Sequence, residues 1–361
     1  MNSLELLQHY FRNEHVNFTG DVKQEIALQN KQSLAPFLYF VCGDKFLNVY
    51  LGSTLIQEKF FALQKEITKL FNENKIKHYF IKGSVLANLY PDPALRTRGD
   101  IDVVVQECDF ERAKKILLEN KYTYDGKTDK DCSLYKNSLL IELHKRLVET
   151  GFSFHDYFTD GFKHIEKINN YEYKLNDNFH FIYLVYHINK HLKLGEGLRA
   201  LLDFYYMDKI CDLDYLYIEK ELKKLNLYKL FNTISNCLYI ITNYKLPGYT
   251  KDDVRPIINY MLTNGIHGKD DLDNYQARQV LANNGSKFKY LMSKLFLNKN
   301  MRKELYPKLS KCFLFYPLII IHRFFHLIFK SNKKLASALK ADTSKISNDE
   351  CFFEKYGIIK N

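Results

Sequence analysis

Residues 79–105, YFIKGSVLANLYPDPALRTRGDIDVVV, decide the fold. The segment reads as strand, tight turn, short helix, loop and strand. Tyr79–Lys82 is an apolar run that ends at Gly83-Ser84. Val85–Tyr90 has helical character and is stopped by Pro91 and Pro93, which lack the amide a helix needs. Gly99 then leads into Asp100-Ile101-Asp102 and Val103-Val104-Val105, whose unbroken valines mark a strand buried on both faces. Side chains alternate along a strand, so Asp100 and Asp102 point one way and Ile101 the other. Two carboxylates side by side at the end of a buried strand are costly unless a positive charge lies between them. A divalent cation meets that need.

Working outward, residues 1–50 read as a loosely amphipathic helical segment with Leu4, Leu6, Leu7 and Tyr10 on one side. Over 55–76, Phe60, Leu63, Ile67, Leu70 and Phe71 recur at helical spacing. Beyond the valine strand, Asp109 is placed to cap a helix over Phe110–Asn120. Tyr122–Tyr124 and Ser133–Tyr135 read as short strands, Asn137-Ser138 as a turn, and Ser138–His144 as another apolar strand with Glu142 inside it. The plain explanation of that carboxylate is an edge strand with Glu142 in solvent.

From about residue 150 the period changes to that of helices: 179–192, 198–207, 215–225, 228–243, 254–262, 286–297 and 301–312, with a polar loop or lid over 264–284. After about residue 330 the chain looks weakly structured. The expected organisation is a helical segment 1–50, a sheet-containing core 51–150, a helical domain 151–312, and an apolar helix with a loose tail 313–361.

A chain of 361 residues, 46% apolar and 26% charged, buries a substantial core. Its formal net charge of +11 favours an anionic partner such as a nucleotide, a nucleic acid or a membrane face, or else reflects only a Lys-, Asn- and Tyr-rich habit. Seven cysteines, with no C-x-x-C spacing, read as reduced residues of a cytoplasmic protein and exclude a disulfide frame or a zinc site. The N-terminal residues lack the pattern of a signal peptide. The apolar stretch 313–330, FLFYPLIIIHRFFHLIFK, contains Pro317, His322, Arg323 and His326 and makes a poor span. A core helix or a subunit contact is preferred there to a peripheral membrane contact aided by Lys330, Lys333 and Lys334.

The chemistry lies around the quoted stretch. Glycine at a strand-to-helix turn lets backbone approach a ligand, and the amides that open the helix suit phosphate oxygens, with the Ser84 hydroxyl as a further donor. A phosphate cradle beside a carboxylate pair is what a metal–nucleoside triphosphate complex requires. Glu142 on a neighbouring strand would complete three carboxylates, able to hold two magnesium ions about 3.5–4 Å apart. Oxygen ligands favour Mg2+ or Mn2+ over zinc.

The segment KGSVLANLYPDPALRTRGDIDVVV resembles the nucleotidyltransferase superfamily that includes DNA polymerase beta and the aminoglycoside nucleotidyltransferases. It looks closest to bacterial nucleotidyltransferase-family proteins with the signature K-G-x-x-L-x-x-x-Y-P-x-P-x-x-R-x-x-x-D-I-D, and the likeness continues through IELH at 141–144, H-x-x-K-H at 187–191 and R-x-x-x-D at 199–203. The resemblance spans roughly residues 30–300 and implies an α+β fold: a small mixed β-sheet core with flanking helices, followed by a mainly helical domain. It implies Asp100 and Asp102 as metal ligands, Gly83 and Ser84 as the triphosphate turn, and Glu142 as a third carboxylate able to serve as general base. It also puts Arg96, Lys190 and Asp203 near the nucleotide. Arg199, one helical turn before Asp203, can close over the nucleotide with them, or else Arg199–Asp203 is a plain salt bridge between packed helices. Lys82 and Arg98 flank the site with either a phosphate-binding or a structural ion-pair role.

The implied activity is a magnesium-dependent transfer of a nucleoside monophosphate from a triphosphate, ATP among them, to a hydroxyl or phosphate of an acceptor, releasing pyrophosphate. A sugar or polysaccharide precursor, a tRNA end and a protein side chain all suit as acceptor. The alternative is a non-catalytic nucleotide-binding regulatory or scaffold protein on the same fold.

Overall fold

The structure, a computed structural model, describes residues 1–128, 130–150, 154–193, 195–265, 280, 286–297, 302, 306, 309, 313–329, 336–339 and 344–359. They fall into two compact units, one built from 1–192, 196–266 and 356–361, the other from 193–195 and 267–355.

The first unit carries a seven-stranded mixed sheet. Three helices lead in: α1 (Ser3–Phe11), whose N-terminus is closed by a reciprocal Asn2–Glu5 capping box, α2 (Val22–Asn30) and α3 (Phe37–Cys42). The long helix α4 (Leu47–Glu73) starts eight residues earlier than its apolar spacing predicts. Its first turns contain Val49, Gly52, Ser53 and Thr54, poor helix formers. Tertiary bonds hold them: the Tyr50 hydroxyl donates to Asp92 Oδ2 (2.6 Å), Ser53 Oγ to the Ala94 carbonyl (2.7 Å) and Gln57 Nε2 to the Arg96 carbonyl (2.5 Å).

The strands are β1 (His78–Ile81), β2 (Asp100–Val105), β3 (Thr123–Lys127), β4 (Asp131–Lys136), β5 (Leu139–His144), β6 (Ile165–Asn169) and β7 (Glu172–Leu175), in the order β3-β4-β5-β2-β1-β7-β6. A four-residue helix, α5 (Gly83–Leu86), opens the β1–β2 connection, and α6 (Phe110–Glu119) follows β2. β1 runs antiparallel to β2, and β2 parallel to β5. The β4–β5 hairpin turns at Asn137 and Ser138, both with positive φ (50° and 65°), as a two-residue turn between twisted strands demands. β5 lies between β4 and β2, so Glu142 is not on an edge strand.

One face of the sheet is the core. Phe80, Ile101, Val103, Val105, Ile141 and Leu143 pack against Phe60, Leu63, Ile67 and Phe71 of α4 and against Phe110, Ala113, Ile116 and Leu117 of α6. Each such side chain other than Ala113 contributes roughly 1.5–3 kcal/mol by its burial. Alternation sends Asp100, Asp102, Glu142 and His144 to the other face. Asp109 precedes α6 but makes no capping bond; its carboxylate pairs with Arg112 at 2.9 Å instead.

The region after 150 is not helical throughout. Beyond α7 (His155–Phe158), β6 and β7 form a hairpin that extends the sheet, with β7 parallel to β1. These strands are only five and four residues long, too short to show a period. Helices α8 (Asp177–Leu192), α9 (Arg199–Ile210), α10 (Tyr215–Lys224), α11 (Tyr228–Thr242) and α12 (Arg255–Asn264) follow. α8 is buried on most sides.

In the second unit, α13 (Lys287–Leu295) receives the Arg323 guanidinium of α14 (Tyr316–Phe329) on its Lys294 carbonyl at 3.0 and 3.2 Å. α15 (Ser344–Lys355) occupies part of the stretch expected to be loose. The chain after it packs into the first unit: Asn189 Oδ1 accepts the Ile359 amide (2.8 Å), Thr233 Oγ1 donates to the Tyr356 carbonyl (3.1 Å), and Gly357 takes φ +74° where a Cβ would stand 2.4 Å from the Leu230 nitrogen. Most of the polar segment expected over 264–284, and most of the helix expected over 301–312, lie outside the described residues. No helix among the described residues is long and apolar enough to cross a membrane.

Candidate active site

Strand register assembles the site. Asp102 stands opposite Ile81 on β1 and opposite Glu142 on β5, and Asp100, two residues earlier, shares its face. His144, two residues beyond Glu142, joins the same face. Candidate ligand atoms of Asp102, Glu142 and His144 all lie within 4.8 Å of one another.

β1 ends at Lys82, which adopts φ +51°, ψ −130°, a conformation L-residues avoid. Strict alternation would carry its side chain to the core face. The sharp bend brings it back, and Lys82 Nζ lies 2.6 Å from Asp102 Oδ1. Its own amide donates to His180 Nε2 on α8 at 3.2 Å. Burial lowers His180 to about 4, which keeps that ring neutral and its Nε2 an acceptor.

Gly83 and Ser84 open α5. The amides of Val85 and Leu86 bond the Lys82 carbonyl, so those of Gly83 and Ser84 are the first in the turn and have no carbonyl one turn back. A Cβ on Gly83 would meet the Arg98 Cβ at 3.2 Å and Arg96 Nη1 at 3.4 Å. The Ser84 hydroxyl is buried and accepts the Asp102 amide at 3.3 Å, tying the turn to β2.

The carboxylates differ in their surroundings. Burial, then the Asp102 charge, pushes the Asp100 carboxyl up to about 6 against the pull of Lys82. Burial would raise Asp102 too, but the Lys82 ammonium and the His144 hydrogen bond outweigh it and hold Asp102 well below the usual carboxylate range. His144 Nε2 lies 2.9 Å from Asp102 Oδ1 and 3.4 Å from Glu142 Oε2, and its Nδ1 is 3.5 Å from Asp131 Oδ2. Burial and Lys130 work against the imidazolium, yet these carboxylates raise its pKa above the ordinary histidine value. Burial likewise opposes the Lys82 ammonium, and Asp102 more than compensates.

Arg96 and Asp203 meet each other. Arg96 donates from Nε to Asp203 Oδ1 (2.7 Å) and from Nη2 to Oδ2 (2.9 Å), and the Tyr90 hydroxyl adds a bond to Oδ1 (2.8 Å). Arg199 stands 3.8 Å from the same carboxylate, so the Arg199–Asp203 contact is an ion pair within α9. The group clamps the loop before β2 onto α9. Arg199 Nε and Nη1 are buried without a hydrogen-bond partner.

Lys190 lies on the face of α8 that also carries His180, Tyr183 and His187, spaced by three, four and three residues. Its ammonium pairs with Glu149 at 3.4 Å. His187 packs on His191, ring centroids 4.3 Å apart, and burial holds it well below its ordinary value.

Three neighbours of the carboxylates escape a reading of the sequence alone: His144, Asp131 and Lys130, whose Nζ lies 2.8 Å from Asp131. His144 carried a usable signal, because it sits two residues from Glu142 on one strand. Asp131 did not, since its place opposite His144 depends on the β4–β5 register. The donors fit a hard divalent cation: three carboxylates share one sheet face, and no described residue donates to Asp102 Oδ2.

Comparison with known proteins adds one match. The profile of a family described as an uncharacterised nucleotidyltransferase matches residues 44–238, more than half the chain. That span runs from α4 through the sheet and into α11. No curated protein and no solved structure matches.

Proposed function

The chain belongs to that nucleotidyltransferase family, and on this premise we propose that it is a magnesium-dependent enzyme that transfers a nucleoside monophosphate from a triphosphate to an acceptor hydroxyl or phosphate. The observation that carries the reading is the register pairing Asp102 with Glu142 across parallel strands, with Asp100 on the same face. Asp100, Asp102 through Oδ2, and Glu142 would hold the divalent ion. When bound, such an ion offsets phosphate charge and polarises the phosphorus under attack.

The residues of the chain do the rest. The Gly83 and Ser84 amides bind triphosphate oxygens. Lys190, and the unsatisfied N–H groups of Arg199, add positive charge on the helical side. The acceptor oxygen bonds to the α-phosphorus while the bond from that phosphorus to the bridging oxygen breaks. The acceptor proton passes to Glu142, and pyrophosphate leaves with the bridging oxygen. Arg96 and Asp203 act by positioning: their buried pair holds the loop that delivers Asp100. The acceptor is a sugar or polysaccharide precursor, a tRNA end or a protein side chain.

The test is pyrophosphate release by the full chain with magnesium, each ribonucleoside triphosphate in turn, and a cell extract as acceptor source. Release that disappears in Asp100→Ala/Asp102→Ala supports the reading. Release unchanged in that variant overturns it, and triphosphate binding without release in any acceptor pool favours a regulatory binding protein instead.

A further inference from the structure

We propose that Lys82 stands permanently in the place of a second metal ion, so that this site takes one divalent cation, not two. The inference rests on the nucleotidyltransferase reading above and concerns how its cation charge is supplied. A pair of catalytic ions sits about 3.5–4 Å apart. At that spacing the unstrained bridging mode of a carboxylate offers one oxygen to each ion. Asp102 is the residue placed to bridge, because it lies between Asp100 on its own strand and Glu142 on the next.

Its Oδ1 is already closed. Lys82 Nζ approaches that oxygen to 2.6 Å and His144 Nε2 to 2.9 Å. A carboxylate oxygen has two lone pairs, and these two donors take both. Among the described residues none donates to Oδ2, so Asp102 keeps one oxygen, and with it room for one ion. Lys82 is also not a loose surface lysine that an ion would displace at little cost. Its side chain is 15% exposed, and its partner Asp102 is 1% exposed. Moving the ammonium away would leave the buried lysine charge without its partner, which is costly.

The backbone supports the same conclusion. A positive φ at a lysine is strained, and a glycine follows immediately at 83 that could have taken the bend more cheaply. The strain falls on Lys82, and its effect is to turn that side chain from the core face to the carboxylate face. Lysine then contributes one positive charge and three N–H donors where a second ion would bring two charges and open coordination positions.

Electron paramagnetic resonance of the full chain with Mn2+ and a non-hydrolysable triphosphate reads the number and coupling of bound ions without needing turnover. The expected result is about one protein-dependent Mn2+ per chain with the spectrum of an isolated ion. Lys82→Met should raise the count to about two and show the exchange coupling of neighbouring ions, while Lys82→Arg should keep one. A coupled pair in the unaltered protein overturns the proposal and leaves the enzyme reading intact. One isolated ion in both the unaltered protein and a folded Lys82→Met also overturns it, because Lys82 is then not what excludes the second ion. No Mn2+ beyond a protein-free control overturns this proposal and the metal-dependent reading together. If Lys82→Met does not fold, the spectrum of the unaltered protein decides.

Discussion

Replacing Asp203 by alanine should destabilise the first unit severely. The carboxylate is buried and holds Arg96 by two bonds at 2.7 and 2.9 Å, accepts the Tyr90 hydroxyl at 2.8 Å, and stands 3.8 Å from Arg199. Arg96 is 6% exposed, so it cannot turn to solvent once its partner is gone. Removing one member of a buried pair costs about 3–5 kcal/mol, because the other charge stays buried. The orphaned Tyr90 hydroxyl adds about 1 kcal/mol or more. Against a typical total stability of about 5–15 kcal/mol, that loss is about a quarter or greater. Urea unfolding at equilibrium, followed by circular dichroism, measures it. Arg96→Met/Asp203→Leu replaces both charges with apolar groups and should recover most of the loss, since the penalty comes from the unpaired charge. An Asp203→Ala protein within about 1 kcal/mol of the original would mean that the buried pair does not hold the fold, and would return Asp203 to a direct role at the nucleotide, where the substitution would alter KM and spare the fold.

Two further outcomes follow from buried groups. His78 is buried, donates from Nδ1 to the Ile76 carbonyl (3.0 Å), and is lowered by burial to about 4. The unfolded chain, with a histidine pKa near about 6.5, therefore binds the extra proton between these values, and stability rises with pH across that window. His78→Phe should lower the proton uptake on unfolding near pH 5 by about one, read as a slope smaller by about 1.4 kcal/mol per pH unit in urea melts; an unchanged slope counts against it. Mg2+ or Mn2+ should stabilise the folded chain by about 2.7 kcal/mol at a hundredfold excess over its dissociation constant, with the gain removed by chelation and absent in Glu142→Gln. Equal stabilisation of Glu142→Gln by the ion would move the metal away from β5.

Much of this arrangement was legible in one short stretch. The apolar run, the Gly-Ser turn, the two prolines and the D-x-D before three valines place β1 and β2 where they are found, with a short helix between them that opens at Gly83 and not at Val85. Alternation alone puts Asp100 and Asp102 on one face, and Asn137-Ser138 marks the hairpin. What stayed hidden depends on pairing across distance. β6 and β7 are too short to carry a period, and β7 is a strand because β1 offers it an edge. The start of α4 runs against local propensity and is held by Asp92, Ala94 and Arg96, some forty residues away. The pairing of Arg96 with Asp203 spans 107 positions, so the spacing within α9 pointed only to Arg199 as the partner. Lys82 was visible as a charge beside the turn, but its direction comes from a backbone bend that spacing does not encode.

Nucleotide transfer at the Asp102–Glu142 face, as proposed above, can be followed directly. The most direct measurement supplies triphosphates labelled at the α-phosphorus, with magnesium and a cell extract, and follows label that becomes covalently attached to an acceptor. The expected result is attachment by the unaltered chain and a loss of about a hundredfold or more in a folded Asp102→Asn protein. Label transferred by Asp102→Asn at the original rate would contradict it.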